Sequence, residues 1–286
     1  MQNHKPLKIV ESPRDGWQGL NTFINTETKA EYINTLIQVG FDIIEVGSFV
    51  SPKLIPQLAD TSQLISLLDT SNTSSRLMVL VANDKGVDNA LAHDKISLLS
   101  YPFSFSPTFL RKNLNTEYKD GLKFIERTQK KCKVSGKELA VYITMAFGNP
   151  YGDRWSLQDL CSCVEDLIGI GIERISLTDI TAEATTGTIE KVYGCLHNKY
   201  PQTEFGCHLH AGRDWADKID AAFKNDCRMF DSVISGHGGC PMTGKEMIGN
   251  VDTLNLLTYF RGKNENLSGI DFEALKKAEM LASTIF

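Results

Sequence analysis

Long hydrophobic runs are missing from this chain of 286 residues. No uninterrupted apolar span approaches the length needed to cross a membrane, and Met1–Lys8 has no apolar signal core, so a membrane or exported protein is not expected. An excess of positive charge is missing too. Thirty Lys and Arg stand against 35 Asp and Glu, a net charge of -5, which argues against nucleic acid as the main partner. The seven cysteines (Cys132, Cys161, Cys163, Cys195, Cys207, Cys227 and Cys240) are odd in number and scattered. They read as thiols of a cytoplasmic protein rather than as a disulfide framework. No Pro/Gly/Ser-rich linker divides the chain, since the Ser/Thr-rich 70–75 stretch is too short for one, and there is no internal repeat. What remains, with 42% apolar and 23% charged residues, is an ordinary globular composition able to bury a sizeable core as one domain, 1–286.

What is present is alternation. Eight short apolar segments read as strands: 7–12, 41–48, 76–82, 95–100, 139–146, 174–179, 203–210 and 230–235. Between them lie amphipathic segments of helical length, among them 28–39, 55–68, 116–133, 157–169 and 188–200; Ser156 is an N-cap for the fourth, and 271–285 reads as a closing helix. Eight strands each followed by a helix predict an α/β fold, a TIM (β/α)8 barrel with a closing C-terminal helix, rather than an open sheet.

In such a barrel chemistry gathers where strands end. The seventh strand ends in Cys207-His208-Leu209-His210, and period-two geometry sends both imidazoles to one face. The first ends in Glu11-Ser12-Pro13-Arg14-Asp15-Gly16-Trp17-Gln18. The second carries Glu45 into Gly47-Ser48-Phe49-Val50-Ser51-Pro52-Lys53, and the sixth is Ile175-Ser176-Leu177-Thr178-Asp179. After the eighth comes Gly236-His237-Gly238-Gly239-Cys240-Pro241, then Gly249-Asn250. Two imidazoles, the Asp15 carboxylate and the Asn250 carbonyl form a nitrogen/oxygen set without thiolate, suited to magnesium or manganese; zinc is a poorer match to an Asn ligand.

Plainer readings stand beside these. Asp15 also suits a loop acid paired with Arg14, and Asn250 a helix cap before Asp252. Most free cysteines are inert, the alternative for Cys240 to proton transfer among cations. Arg14 offers a planar fork for a carboxylate, enolate or phosphate oxygen, or a surface ion pair with Asp15. Glu45, costly to bury alone, neutralises Arg14 or a metal-ligating histidine, or meets substrate; Asp179 follows the same logic. His237 has no assigned role, and His4, His93 and His197 have no polar company in the sequence.

The ordered set Glu-x-Pro-Arg-Asp-Gly-x-Gln, Ile-Glu-x-x-Ser-Phe-Val-Ser-Pro-Lys, Ser-Leu-x-Asp, His-x-His, Gly-x-Gly-Gly-Cys-Pro and Gly-Asn resembles the 3-hydroxy-3-methylglutaryl-CoA lyase family. These are metal-dependent TIM-barrel lyases related to condensing enzymes, and the likeness runs from Leu7 to beyond Asn250. It implies Asp15, His208, His210 and Asn250 as ligands of Mg2+ or Mn2+. It implies Arg14 as the group that stabilises an enolate, and Cys240 as a proton-transfer residue. Glu45, Asp179 and His208 are implied in the acid/base chemistry, with Arg14, Gln18, Ser48 and Ser176 lining the substrate pocket. The expected partner is an acyl-CoA, cleaved to acetyl-CoA and acetoacetate, and family habit points to a homodimer or larger homo-oligomer. Four positions depart from the family pattern: Trp17 for Leu, Ile180 for Thr, Ala211 for an acid and His237 for an apolar residue. The competing readings are a condensing enzyme, a lyase for another 3-hydroxyacyl-CoA, and an inactive barrel. A biotin-dependent carboxyltransferase would need a metal-binding lysine where Thr178 and Asp179 stand.

Overall fold

The computed structural model describes residues 5–210, 212–239 and 248–286. Eight parallel strands close into a barrel: β1 (Lys8–Glu11), β2 (Ile43–Ser48), β3 (Arg76–Leu80), β4 (Ile96–Phe103), β5 (Glu138–Thr144), β6 (Arg174–Asp179), β7 (Glu204–Leu209) and β8 (Met229–Ser232). Each pairs with the next, and β1 pairs with β8 from Lys8↔Met229 to Glu11↔Ser232 to complete the ring. All-parallel strands are covered on both faces, which explains why β2, β6 and β8 are buried at every position. Inside, Val10, Ile43, Met78, Leu98 and Met229 pack together beneath Tyr142. Below them Arg174 bonds Glu138 and pairs with Glu204, Arg76 also bonds Glu138, and Lys8 reaches Glu204. The base of the barrel is therefore closed by alternating charge, and its upper half is left for polar side chains.

Helix ends follow local chemistry. Asn25, Asn83, Ser156, Thr185 and Asp252 each accept a backbone N–H at a helix start. Gly40 (φ +86°) ends the helix Thr26–Val39 in the left-handed conformation. The closing helix is Phe272–Ile285, begun by Asp271. The helix expected over 55–68 is instead split into a tight turn, Pro56–Leu58, and a short helix, Thr61–Ser66. β4 runs three residues beyond the expected end at Ser100, because Pro102 sits in the strand opposite Tyr142 and pairing with β5 continues to Phe103. The helices Asp84–Leu91, Trp215–Lys224 and Thr253–Gly262 complete the outer layer.

Glu11 ties β1 to the segment after β8. It is fully buried and accepts the Ile234 N–H (2.9 Å) and the Thr253 hydroxyl (2.6 Å). Burial pushes its carboxyl up to about 8, although both hydrogen bonds pull the other way. The folded chain then keeps a proton that the unfolded chain releases near 4.5. This contribution to stability is complete below that value and is lost as pH rises toward 8. Glu11→Gln keeps the acceptor without the charge, so the fall in Tm between pH about 6 and pH about 8.5 is expected to be smaller in the variant. An equal fall in both proteins would remove Glu11 as the cause.

Candidate metal centre and active site

β1 runs straight into the short helix Pro13–Trp17, in which Arg14 and Asp15 are 8% and 5% exposed. The surface ion pair considered for them is thus a buried one, with Arg14 Nη1 donating to Asp15 Oδ1 at 3.0 Å. Arg14 also donates through Nε (2.9 Å) and Nη2 to Glu45 Oε2, and through Nη1 to Gln18 (3.1 Å). Four of its five N–H groups are thereby taken, leaving one on Nη2. The other oxygen of Glu45 accepts the Ser100 hydroxyl at 2.9 Å. Burial alone would favour loss of the Arg14 proton, but Glu45 and Asp15 more than offset it and hold the guanidinium above its ordinary value.

β7 aims His208 and His210 inward together. His208 Nδ1 meets Asp231 Oδ2 at 2.9 Å, and His210 Nδ1 meets the Ile248 carbonyl at 2.7 Å. Carboxylate and carbonyl oxygens only accept, so each Nδ1 carries a hydrogen, and in the neutral ring each Nε2 keeps its lone pair. Those two Nε2 atoms stand 3.2 Å apart. Facing lone pairs repel unless a cation, either a proton or a metal ion, lies between them. The separation also fits metal binding: adjacent ligands of an octahedral ion at about 2.1 Å stand about 3 Å apart. The two rings are shifted in opposite directions. Burial lowers His210 in spite of Asp15, whereas at His208 the partner Asp231 outweighs burial and raises it.

Asp15 Oδ2 lies 3.7 Å from His210 Nε2, and the three ligand atoms of Asp15, His208 and His210 all fall within 4.8 Å of one another. Burial works against its ionisation, but Arg14, His210 and His208 prevail and hold the carboxyl at about 2. Asn250 pairs with His210 in an isolated antiparallel bridge. Its amide nitrogen donates to Asp15 Oδ2 (2.6 Å) and to the His237 carbonyl (2.9 Å). Both donors are spent, so Oδ1 is the atom left to bind an ion. The helix cap considered for Asn250 belongs to Asp252, which accepts the Asn255 N–H. The donor set on hand therefore fits a divalent cation.

Above this cluster opens a cavity of about 360 Å³ at the C-terminal rim, lined by Arg14, Asp15, Gln18, Glu45, Ser48, His208 and His210 among others. Its walls are largely apolar: Leu80, Pro102, Phe109, Leu114 and Ile180. Ser176, expected in the pocket lining, and Asp179, expected in the acid/base chemistry, lie elsewhere. Ser176 is buried one layer below, with its hydroxyl unpartnered among described atoms and close against Gly206. Asp179 is spent on the turn that follows it, accepting the N–H groups of Thr181, Glu183 and Ala184 at 3.4, 3.0 and 2.7 Å. It shapes the loop that carries Ile180 and does not line the cavity. The His237 ring lies outside the cluster, stacked on Phe286, while its carbonyl meets Asn250. Cys240 and Ala211 lie outside the described residues. The other six cysteines are free thiols. His93, for which the sequence showed no polar company, meets the Ser62 hydroxyl at 3.1 Å.

Sequence reasoning missed Asp231 and Tyr142. Tyr142 lines the cavity with its ring edge-on to His208 at 5.9 Å. Asp231, 3% exposed in the fully buried β8, signals itself as Glu45 does, by being an acid too costly to bury without a partner. It fixes the ring and tautomer of His208. Asp231→Ala is expected to weaken Mn2+ binding about 10- to 100-fold, read by calorimetry, while the fold persists by circular dichroism. Unchanged affinity would mean that His208 needs no such support.

A closed parallel barrel with imidazoles, a carboxylate and an amide clustered at its C-terminal rim defines the class: a TIM barrel whose rim residues could hold a cation. Comparison with known proteins narrows it. The HMGL-like family model matches residues 7–281. The cytoplasmic 3-hydroxy-3-methylglutaryl-CoA lyase of Rattus norvegicus is 30% identical over 275 residues, 95% of this chain and 79% of the relative. The HMG-CoA lyase structure from Bacillus subtilis superposes with a TM-score of 0.91 at 28% identity, covering 99% of this chain and 95% of that one. An HMG-CoA lyase from Acinetobacter baumannii, in complex with coenzyme A and 3-methylmalate, gives 0.90 at 26% identity, with 98% and 91% covered. The chain belongs to the HMGL-like family and is a lyase of it.

Proposed function

We propose that the chain cleaves 3-hydroxy-3-methylglutaryl-CoA to acetyl-CoA and acetoacetate with the help of Mg2+ or Mn2+, as one lyase domain. The observation that carries this reading is the pair of Nε2 lone pairs 3.2 Å apart, flanked by Asp15, at the floor of a cavity that also holds Arg14. His208, His210, Asp15 and Asn250 would hold the ion. Bound there, it would hold and acidify the tertiary hydroxyl of the substrate.

The chain's own groups supply the rest. Arg14, fixed by Glu45, Asp15 and Gln18, points its one uncommitted N–H at the charge that develops on the thioester enolate. Glu45, whose carboxyl burial pushes up despite Arg14, is the acid/base group nearest that guanidinium. Tyr142 and the apolar wall exclude water from the breaking bond. Cys240, as the resemblance implies, returns a proton to the enolate carbon. Asp179 acts by shaping the loop beside the cavity.

Purified protein supplied with 3-hydroxy-3-methylglutaryl-CoA and Mn2+ is expected to yield acetoacetate and acetyl-CoA in equal amounts, and EDTA to stop both. Stoichiometric Mn2+ binding without either product would overturn the substrate assignment and direct the search to other branched 3-hydroxyacyl thioesters.

A further inference from the structure

We infer that Phe286 is a positioning residue for the cation site, acting through His237. The inference rests on Asp15 and Asn250 being cation ligands, as proposed above.

The two rings lie parallel, 4.6 Å apart between centroids and 11° between planes. Phe286 is held on its other side by Tyr32, edge-on at 6.4 Å, and its N–H bonds the Ala282 carbonyl at 2.9 Å. It therefore moves with the helix Phe272–Ile285 rather than with the loop after β8. The same ring lies against Gly16, the residue that follows Asp15: a Cβ there would stand 3.0 Å from the Phe286 ring and 2.9 Å from Val233. One aromatic side chain thus touches the backbone beside one ligand and the residue that supports the other.

His237 reaches the ligands through its backbone. Its carbonyl accepts one Asn250 N–H at 2.9 Å, and that amide nitrogen also donates to Asp15 at 2.6 Å. The next residue, Gly238, has φ +107° and passes so close that a Cβ would stand 2.6 Å from the Asn250 amide nitrogen and 2.8 Å from the Asp15 carbonyl. A segment this tightly threaded between two ligands transmits displacement to both. Pinning the His237 ring fixes the carbonyl that orients the Asn250 amide, and so decides which atom of that amide faces the ion. The His237 ring gives the clamp a flat face to stack on.

The experiment measures Mn2+ affinity by calorimetry for the parent, Phe286→Ala, His237→Ala, their double variant and Phe286→Tyr, with the melting temperature of each metal-free protein beside it. Phe286→Ala and His237→Ala are each expected to weaken Mn2+ binding about tenfold, as removal of a ligand's supporting group does. The double variant is expected to be no worse than either single one, because both remove the same contact. Phe286→Tyr keeps the stack and is expected to stay within about twofold of the parent. Losses that multiply in the double variant, or parental affinity in Phe286→Ala, would overturn the inference. Should Phe286→Ala fail to fold, His237→Ala against Phe286→Tyr decides: parental affinity in the first, or a loss in the second, overturns it. A parent that binds no Mn2+ would instead fail the reading of the site itself.

Discussion

His210→Ala is expected to lose more than about 100-fold in Mn2+ affinity and, with it, cleavage at any ordinary metal concentration. His210 faces three partners at once: His208 through Nε2 at 3.2 Å, Asp15 at 3.7 Å, and the Ile248 carbonyl through Nδ1 at 2.7 Å. Its removal takes away the Nε2 that faces His208 and Asp15 and also the side-chain bond to the Ile248 carbonyl, while the backbone bridge to Asn250 stays. His210→Gln, which restores an acceptor without the ring's geometry, should recover part of the affinity. Full cleavage by His210→Ala at equal Mn2+ would show that the imidazole is only a packed core residue.

Arg14→Lys is expected to lower kcat about 100- to 1000-fold while Mn2+ affinity changes far less. An ammonium preserves the charge that Glu45 and Asp15 require but cannot reproduce a planar fork donating to Glu45, Asp15 and Gln18 together. The N–H left for the enolate is then no longer aimed. The neutral change Arg14→Met would confuse the result, because it strands Glu45, 2% exposed, without its partner and costs about 3 to 5 kcal/mol of stability. A kcat near the parent's in Arg14→Lys would move enolate stabilisation to another group.

The barrel was legible because parallel strands buried on both faces leave short apolar runs with helical stretches between them. The edges slipped: the segment expected as one helix over 55–68 restarts at Thr61, β4 runs on through Pro102, and β8 stops at Ser232, three residues short of the expected end. The cluster was legible where geometry is local: His208 and His210 share a face by period two, and Arg14 and Asp15 are adjacent. Asn250 was harder to read and stood beside a helix-cap alternative, since its place beside Asp15 depends on 235 residues of intervening chain. Asp231 escaped notice because an acid in a strand shows its partner only once β7 and β8 are side by side. Asp179 looked catalytic for the reason Glu45 did, an acid at the end of an apolar strand. The structure separates them, giving Glu45 a guanidinium and a hydroxyl and Asp179 three backbone N–H groups.

The central claim is that the cation held between His208, His210, Asp15 and Asn250 is the one that cleavage needs. The direct measurement adds Mn2+ stepwise to metal-free protein and records bound ion and acetoacetate rate together. The account expects a rate that rises in proportion to bound Mn2+ and levels off at one ion per chain. Full cleavage by the metal-free protein, or complete occupancy without acetoacetate, would contradict it.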